Sequence, residues 1–120
     1  MAAKDERGRR GEDAATSYLG ERGYEVVARN WRCAQGEIDI VARHGGEMVV
    51  VEVKTRTSEL FGHPLEAVNA RKRARLWRLA AAWCAAHPDA ARGRRVRVDA
   101  VSVVGTERSG FRIEHLRDIR

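Results

Sequence analysis

Cysteine is scarce in this 120-residue chain: there are two, Cys33 and Cys84, and no CxxC pair. That excludes a disulfide framework and a thiolate zinc cluster, and makes a reducing compartment the simpler expectation. Long apolar runs are missing as well. The N-terminus carries no hydrophobic stretch of the secretory type, and the longest candidate, residues 79–86, falls far short of the roughly 20 residues that cross a bilayer. The expected setting is the cytoplasm, with no membrane partner. The four histidines, His44, His63, His87 and His115, include no pair at metal-ligand spacing. No internal repeat, no linker and no low-complexity tract beyond an Ala/Arg bias divides the chain. One domain over residues 1–120 is therefore expected, with residues 1–8 as a flexible basic arm.

Charge and hydrophobic residues are plentiful. Hydrophobic residues make up 43% of the chain, enough for a real core, and charged residues 33%, so the surface must be densely ionic. Lys and Arg number 23 against 17 Asp and Glu, a formal net charge of +6 that favours an anionic partner, nucleic acid first among them. The distribution is more telling than the sum. Arg71, Lys72, Arg73, Arg75 and Arg78 form a basic run without an acid inside it, and Arg92, Arg94, Arg95 and Arg97 form a second. Glu37, Asp39, Glu47, Glu52 and Glu59 lie in the middle of the chain. A basic periphery around an acidic centre suits an enzyme that holds a polyanion while binding metal.

The hydrophobic periods predict the elements. Ala15, Tyr18, Leu19 and Arg22 recur at helical spacing over residues 9–22, and Gly23 is a C-terminal stop. Residues 24–31, 37–42 and 48–54 read as strands, the third valine-rich on both faces and so central. In the second strand Ile38 and Ile40 alternate with Glu37 and Asp39. A helical stretch spans residues 64–87 and ends at Pro88. Residues 94–104 and 111–116 read as two further strands. The order is α-β-β-β-α-β-β, an α/β fold with a central mixed sheet flanked by helices.

Gly45–Gly46 reads as a two-residue hairpin turn. Counting outward from it, His44 faces Glu47, Asp39 faces Glu52 and Glu37 faces Lys54. Opposed residues share a face with Cβ atoms about 5 Å apart, so two carboxylates and a lysine converge. Like charges facing each other destabilise a sheet unless they share a proton, find cations or bind metal. Magnesium is commonly held by one or two carboxylates together with substrate phosphates. Asp39 and Glu52 fit that chemistry, and Lys54 can position or activate water. On spacing alone, an exposed face with a plain Glu37–Lys54 ion pair fits equally well.

Four segments carry a resemblance. Gly11-Glu12-Asp13-Ala14-Ala15 with Tyr18-Leu19, Gly36-Glu37-Ile38-Asp39-Ile40-Val41-Ala42, Glu52-Val53-Lys54-Thr55-Arg56, and Phe61-Gly62-His63-Pro64-Leu65-Glu66-Ala67-Val68 with Lys72 follow one another along the chain. In this order they resemble the bacterial YraN-like family of endonuclease-like proteins, and Asp39 with Glu52-Val53-Lys54 matches the D…(D/E)xK signature of restriction-endonuclease-like nucleases. Arg97-Val98-Asp99-Ala100-Val101 is similar to the family's late strand. The resemblance implies a restriction-endonuclease-like core, related to that of archaeal junction resolvases, and Mg2+- or Mn2+-dependent hydrolysis of phosphodiester bonds in DNA, branched or processed DNA included. It implies that Asp39, Glu52 and the Val53 carbonyl bind the metal. It further implies that Lys54 holds the attacking water and that Glu12 is an extra acid of the site. The resolvase analogy makes a homodimer plausible.

Other residues have a functional and a bland reading. Arg71, Arg75 and Arg78 share a helical face and, with Lys72 and Arg56, are candidate phosphate contacts; a solvated face is the alternative. Glu12 equally suits a helix N-terminus, and Glu37 is either a tuner of Lys54 or a structural ion pair. Trp31 is a candidate for base stacking and Trp83 for the core. Asp99, within an apolar strand, reads as a buried, hydrogen-bonded structural acid. A nuclease-like module that grips nucleic acid without cutting it is the rival function, and a protein-interaction domain with ionic scaffolding the third.

Overall fold

A computed structural model describes residues 6–58, 65 and 68–120. The elements run α1 (Glu6–Glu21), β1 (Glu25–Cys33), β2 (Gly36–His44), β3 (Glu47–Arg56), α2 (Ala70–Ala86), α3 (Pro88–Ala91), β4 (Arg95–Thr106) and β5 (Gly110–Leu116). The five strands form one sheet in the order β1-β2-β3-β4-β5. β3 and β4 pair in parallel and the other neighbours antiparallel, so the sheet is mixed. A parallel pair needs a crossover, and α2 lies within it.

The sheet is apolar on both faces and each face has its own helix. Met48 and Val50 of β3 and Val98 and Ala100 of β4 pack with Leu76, Leu79, Ala80 and Trp83 of α2. Val49, Val51, Val101 and Val103 pack with Ala15 and Leu19 of α1. This strict alternation puts β3 at the centre, as its valine run predicts. It also assigns Glu52 and Lys54, which continue the even-numbered series, to the α2 side.

Four local devices set the element ends. Gly45 and Gly46 have φ of 56° and 82°, the two positive values that a tight hairpin requires, and His44 pairs with Glu47 as the turn predicts. Asn69 caps α2, accepting the Lys72 N–H at 3.0 Å. That cap corrects the expected start at residue 64; of the stretch before it, Leu65 forms a 3-10 turn, and residues 64, 66 and 67 are outside the described set. Pro88 does end α2, and it opens the one-turn α3 that periodicity missed. At the other end of the chain, α1 begins at Glu6, where an Arg10–Glu6 contact of 2.8 Å spans the first turn. Residues 6–8 of the expected arm are thus helical, and 1–5 are not among the described residues.

β2 departs from regularity at one place. Its ladder with β3 ends at Ile40–Val51, and Ile38 packs on the α2 side whereas Ile40 packs on the α1 side. Residues two apart in a regular strand share a face, so β2 turns over at Asp39. The expected shared face of Ile38 and Ile40 is therefore wrong, and the expected backbone pairings Asp39–Glu52 and Glu37–Lys54 are not formed. The strands fork instead.

Candidate active site

The fork is where the acids meet. Past Val51 the two strands separate, and the Asp39 carboxylate reaches across and accepts the Val53 N–H at 2.8 Å. A side chain takes over from a backbone carbonyl, so Asp39 is anchored to β3 even though the ladder has ended. It also hydrogen-bonds the Glu52 carboxyl. Burial, this hydrogen bond and the Asp39 charge push Glu52 up to about 8, while Lys54 and Arg75 pull it down. Two carboxylates this close hold a proton more tightly than either would alone unless a cation separates them.

Around this pair lies a cleft of about 350 Å³ lined by Gly8, Glu12, Asp39, Glu52, Val53, Lys54 and Thr55. α1 closes one wall. At Gly11 a Cβ would overlap the Thr55 side chain, so the helix approaches β3 only because position 11 is glycine. The close approach delivers Glu12, 1% exposed, to the cleft. One of its oxygens, Oε1, accepts from Arg29 Nε at 3.0 Å and from Asn30 Nδ2 at 2.9 Å, and Arg29 Nη2 stands 3.0 Å away from it. The same Nη2 donates to Asp13 Oδ1 at 2.7 Å.

The structure therefore brings together Glu12, Asp39, Glu52, Val53 and Lys54 and leaves other candidates apart. Glu37 pairs with Arg32 of β1 at 2.8 Å rather than standing in the ladder opposite Lys54. Arg56 is exposed at the end of β3, and Arg71, Arg75 and Arg78 are exposed on α2, opposite the buried Leu76–Leu79–Ala80–Trp83 face. None of these three makes a salt bridge among the described residues, although Arg75 is close enough for its field to reach Glu52. Lys72 is half-buried. His63 and the segment 61–64 lie outside the described residues. Trp31 is not a free stacking platform: it packs against the α2-side core, edge-on to His87.

Among the described residues no three His, Cys, Asp or Glu side chains already converge as a metal cage. The donor chemistry nevertheless suits a hard divalent cation: two neighbouring carboxylates, with the Val53 backbone in the same cleft. Sequence reasoning missed Arg29 and Asn30. The one signal was an asparagine inside a strand, a residue type that strands disfavour.

Sequence reasoning also left the surroundings of Asp99 blank. This fully buried acid accepts from Tyr24 Oη at 3.0 Å, Arg97 Nε at 3.0 Å and the Asp118 N–H at 2.9 Å, with His115 Nε2 at 2.8 Å. Burial pushes its carboxyl up, but the bonds from His115, Asp118 and Arg97 outweigh burial and hold it below the ordinary range. The expected role as a structural acid is what the geometry displays.

The family profile described as Uncharacterised protein family UPF0102 matches residues 11–103. The chain belongs to UPF0102, the YraN family. Relatives named UPF0102 protein extend over nearly the whole length: one from Arthrobacter sp. (strain FB24) is 52% identical over 119 residues, covering 99% of each chain. One from Beutenbergia cavernae is 54% identical over 119 residues, again with 99% of each chain covered. Among solved structures, a repair endonuclease from Pyrococcus abyssi superposes with a TM-score of 0.50 at 19% identity. The match covers 89% of this chain and 42% of that one, so the UPF0102 chain spans less than half of that endonuclease. The common part is the fold: a restriction-endonuclease-like α/β core.

Proposed function

We propose that this UPF0102 domain is a divalent-metal-dependent endonuclease that hydrolyses phosphodiester bonds in DNA, with Mg2+ or Mn2+ as cofactor. The observation that carries the reading is the juxtaposition of Asp39 and Glu52 at the β2–β3 fork, with Asp39 bonded to the Val53 N–H and Lys54 in the same open cleft. A folded protein gains nothing from forcing two carboxylates together; the arrangement makes sense as a site awaiting a cation. Asp39, Glu52 and the Val53 carbonyl would hold the metal, which supplies Lewis-acid stabilisation of charge on the phosphate oxygens.

The chain's own groups then have distinct tasks. Lys54, whose field already reaches Glu52, orients the attacking water and balances phosphate charge. Glu12, fixed by Arg29 and Asn30, offers a stationary acceptor on the opposite wall. Arg71, Arg75 and Arg78, without acidic partners among the described residues, bind the phosphate backbone leading to the cleft. Lys72, within the same run of α2, and Arg56, at the exposed end of β3, add to that basic path.

The test uses labelled single-stranded, duplex, flapped and four-way-junction DNA with Mg2+ or Mn2+, beside Glu52→Ala and Lys54→Ala. Metal-dependent cleavage by the wild type and loss in both variants is the expected result. Cleavage that survives both substitutions places the activity elsewhere. The exposed arginines of α2 support one rival, a non-catalytic nucleic-acid-binding module. It predicts salt-sensitive binding that Glu52→Ala leaves unchanged and no cleavage of any substrate.

A further inference from the structure

Glu12 and its two clamps hold a second layer of design. A carboxylate this deeply buried is costly unless hydrogen bonds and charge compensate it. Among the described residues two consecutive ones, Arg29 and Asn30, are both directed at one of its oxygens. Consecutive side chains on a regular strand point to opposite faces. Both can reach Glu12 only because Asn30 has φ of 54°, the left-handed region, in the middle of β1. Non-glycine residues held there are strained, and such residues persist where the surrounding structure uses them. Asparagine is among the side chains that tolerate it best.

The position of this kink is also informative. The β1–β2 ladder runs Arg29–Ile40 and Trp31–Ile38, so Asn30 stands across from Asp39. That is the residue at which β2 turns over and its ladder with β3 ends. One left-handed residue thus faces the backbone of one site acid while its side chain grips another.

We infer that Asn30, seconded by Arg29, is a positioning residue for the proposed reaction: it fixes the Glu12 carboxylate in the cleft and acts only through it. The assignment rests on the nuclease reading above. Asn30 is itself exposed, so a purely structural role and a direct grip on DNA are the competing explanations, and both are separable by experiment.

The decisive variants are Asn30→Gly, Arg29→Lys, Glu12→Gln and the doubles with Glu12→Gln, tested for cleavage kinetics and Mn2+ binding. Glycine adopts the left-handed backbone without strain, so Asn30→Gly removes the carboxamide and leaves the strand intact. The expected result is a drop in kcat of about tenfold, in the range seen when the partner of an active-site ligand is lost. KM for DNA should stay within about twofold. Arg29→Lys keeps the charge, loses one N–H on Oε1 and should fall in the same direction. Because both act through Glu12, neither should slow Glu12→Gln further.

A kcat for Asn30→Gly equal to wild type overturns the assignment, and so does a double variant slower than Glu12→Gln by the full single-variant factor. A rise in KM with kcat intact makes Asn30 a DNA contact and overturns it as well. A wild type that neither cuts DNA nor binds Mn2+ fails differently: the nuclease reading falls first and this inference with it.

Discussion

If Asp39 and Glu52 are the metal ligands, their shared proton must leave when the cation arrives, and that fixes the pH dependence of metal affinity. Glu52 is raised to about 8 in the metal-free protein. With one proton competing, the apparent dissociation constant scales as 1 + 10^(pKa − pH), because only the deprotonated pair binds. The factor is roughly 100 at pH 6, about 11 at pH 7 and about 2 at pH 8. Affinity should therefore rise about tenfold from pH 6 to 7 and about fivefold from pH 7 to 8 before levelling off. At pH 7 binding should release about 0.9 proton.

The sign for stability is opposite to that of an ordinary carboxylate. The folded pKa lies above the ordinary value of 4.5, so the folded state retains a proton that the unfolded chain gives up. Metal-free stability from this group is present below that ordinary value and is lost as pH rises toward 8. Titration calorimetry of Mn2+ at pH 6, 7 and 8, in paired buffers of different ionisation enthalpy, reads the affinity and the proton count together. Glu52→Gln should abolish both. An affinity that is flat between pH 6 and 8, or binding without proton release, would refute the assignment of the metal to this pair.

Three further outcomes follow from the geometry. Replacing Arg71, Arg75 and Arg78 singly with Ala should weaken DNA binding similarly for all sequences and lower the salt slope by about one for each arginine that touches a phosphate, read by fluorescence anisotropy against salt. The Mn2+ affinity should be unaffected for Arg71→Ala, which tests whether α2 binds substrate rather than cofactor. Gly11→Ala should lose about 1–3 kcal/mol in urea denaturation, since the new methyl overlaps the rigid Thr55 side chain and pushes α1 off β3; cleavage should fall with it as Glu12 is displaced. Tyr24, pushed up to about 12 by burial and by the charge and hydrogen bond of Asp99, should remain protonated at pH 11 in a spectrophotometric titration. Asp99→Asn should bring that ionisation down and destabilise the fold by leaving Arg97 buried with less compensation.

Much of this molecule is written locally. Two-residue alternation places Val49, Val51, Val101 and Val103 on one face and Met48, Val50, Val98 and Ala100 on the other. Gly45 and Gly46 specify the hairpin because only residues that accept positive φ close so tight a turn. Helix ends were less legible: the start of α2 depends on one cap, Asn69, which competes with the upstream Pro64 as a start signal, and α1 extends back to Glu6 through an ion pair that hydrophobic spacing does not register. The membership of Glu12, Asp39, Glu52 and Lys54 in one cleft was legible through the family resemblance. Periodicity alone left the ion-pair reading of the same face open.

The sequence by itself thus determined the order of the elements, the hairpin and the central position of β3, since each depends on residues within a few positions of one another, and its family resemblance named the candidate acids. Only the tertiary structure decided how those acids meet. Extrapolating the hairpin register predicts a backbone ladder through Asp39 and Glu52. The folded chain forks there instead, with Asp39 bonded to the Val53 N–H. Features far apart in the chain meet at this fork: a left-handed Asn30 on the neighbouring strand, a helix brought close by Gly11, and a sheet that buries both faces. Local pattern carries periods of two and three to four residues. The position of a carboxylate clamped by residues 17 and 18 places away in sequence is fixed by packing between elements.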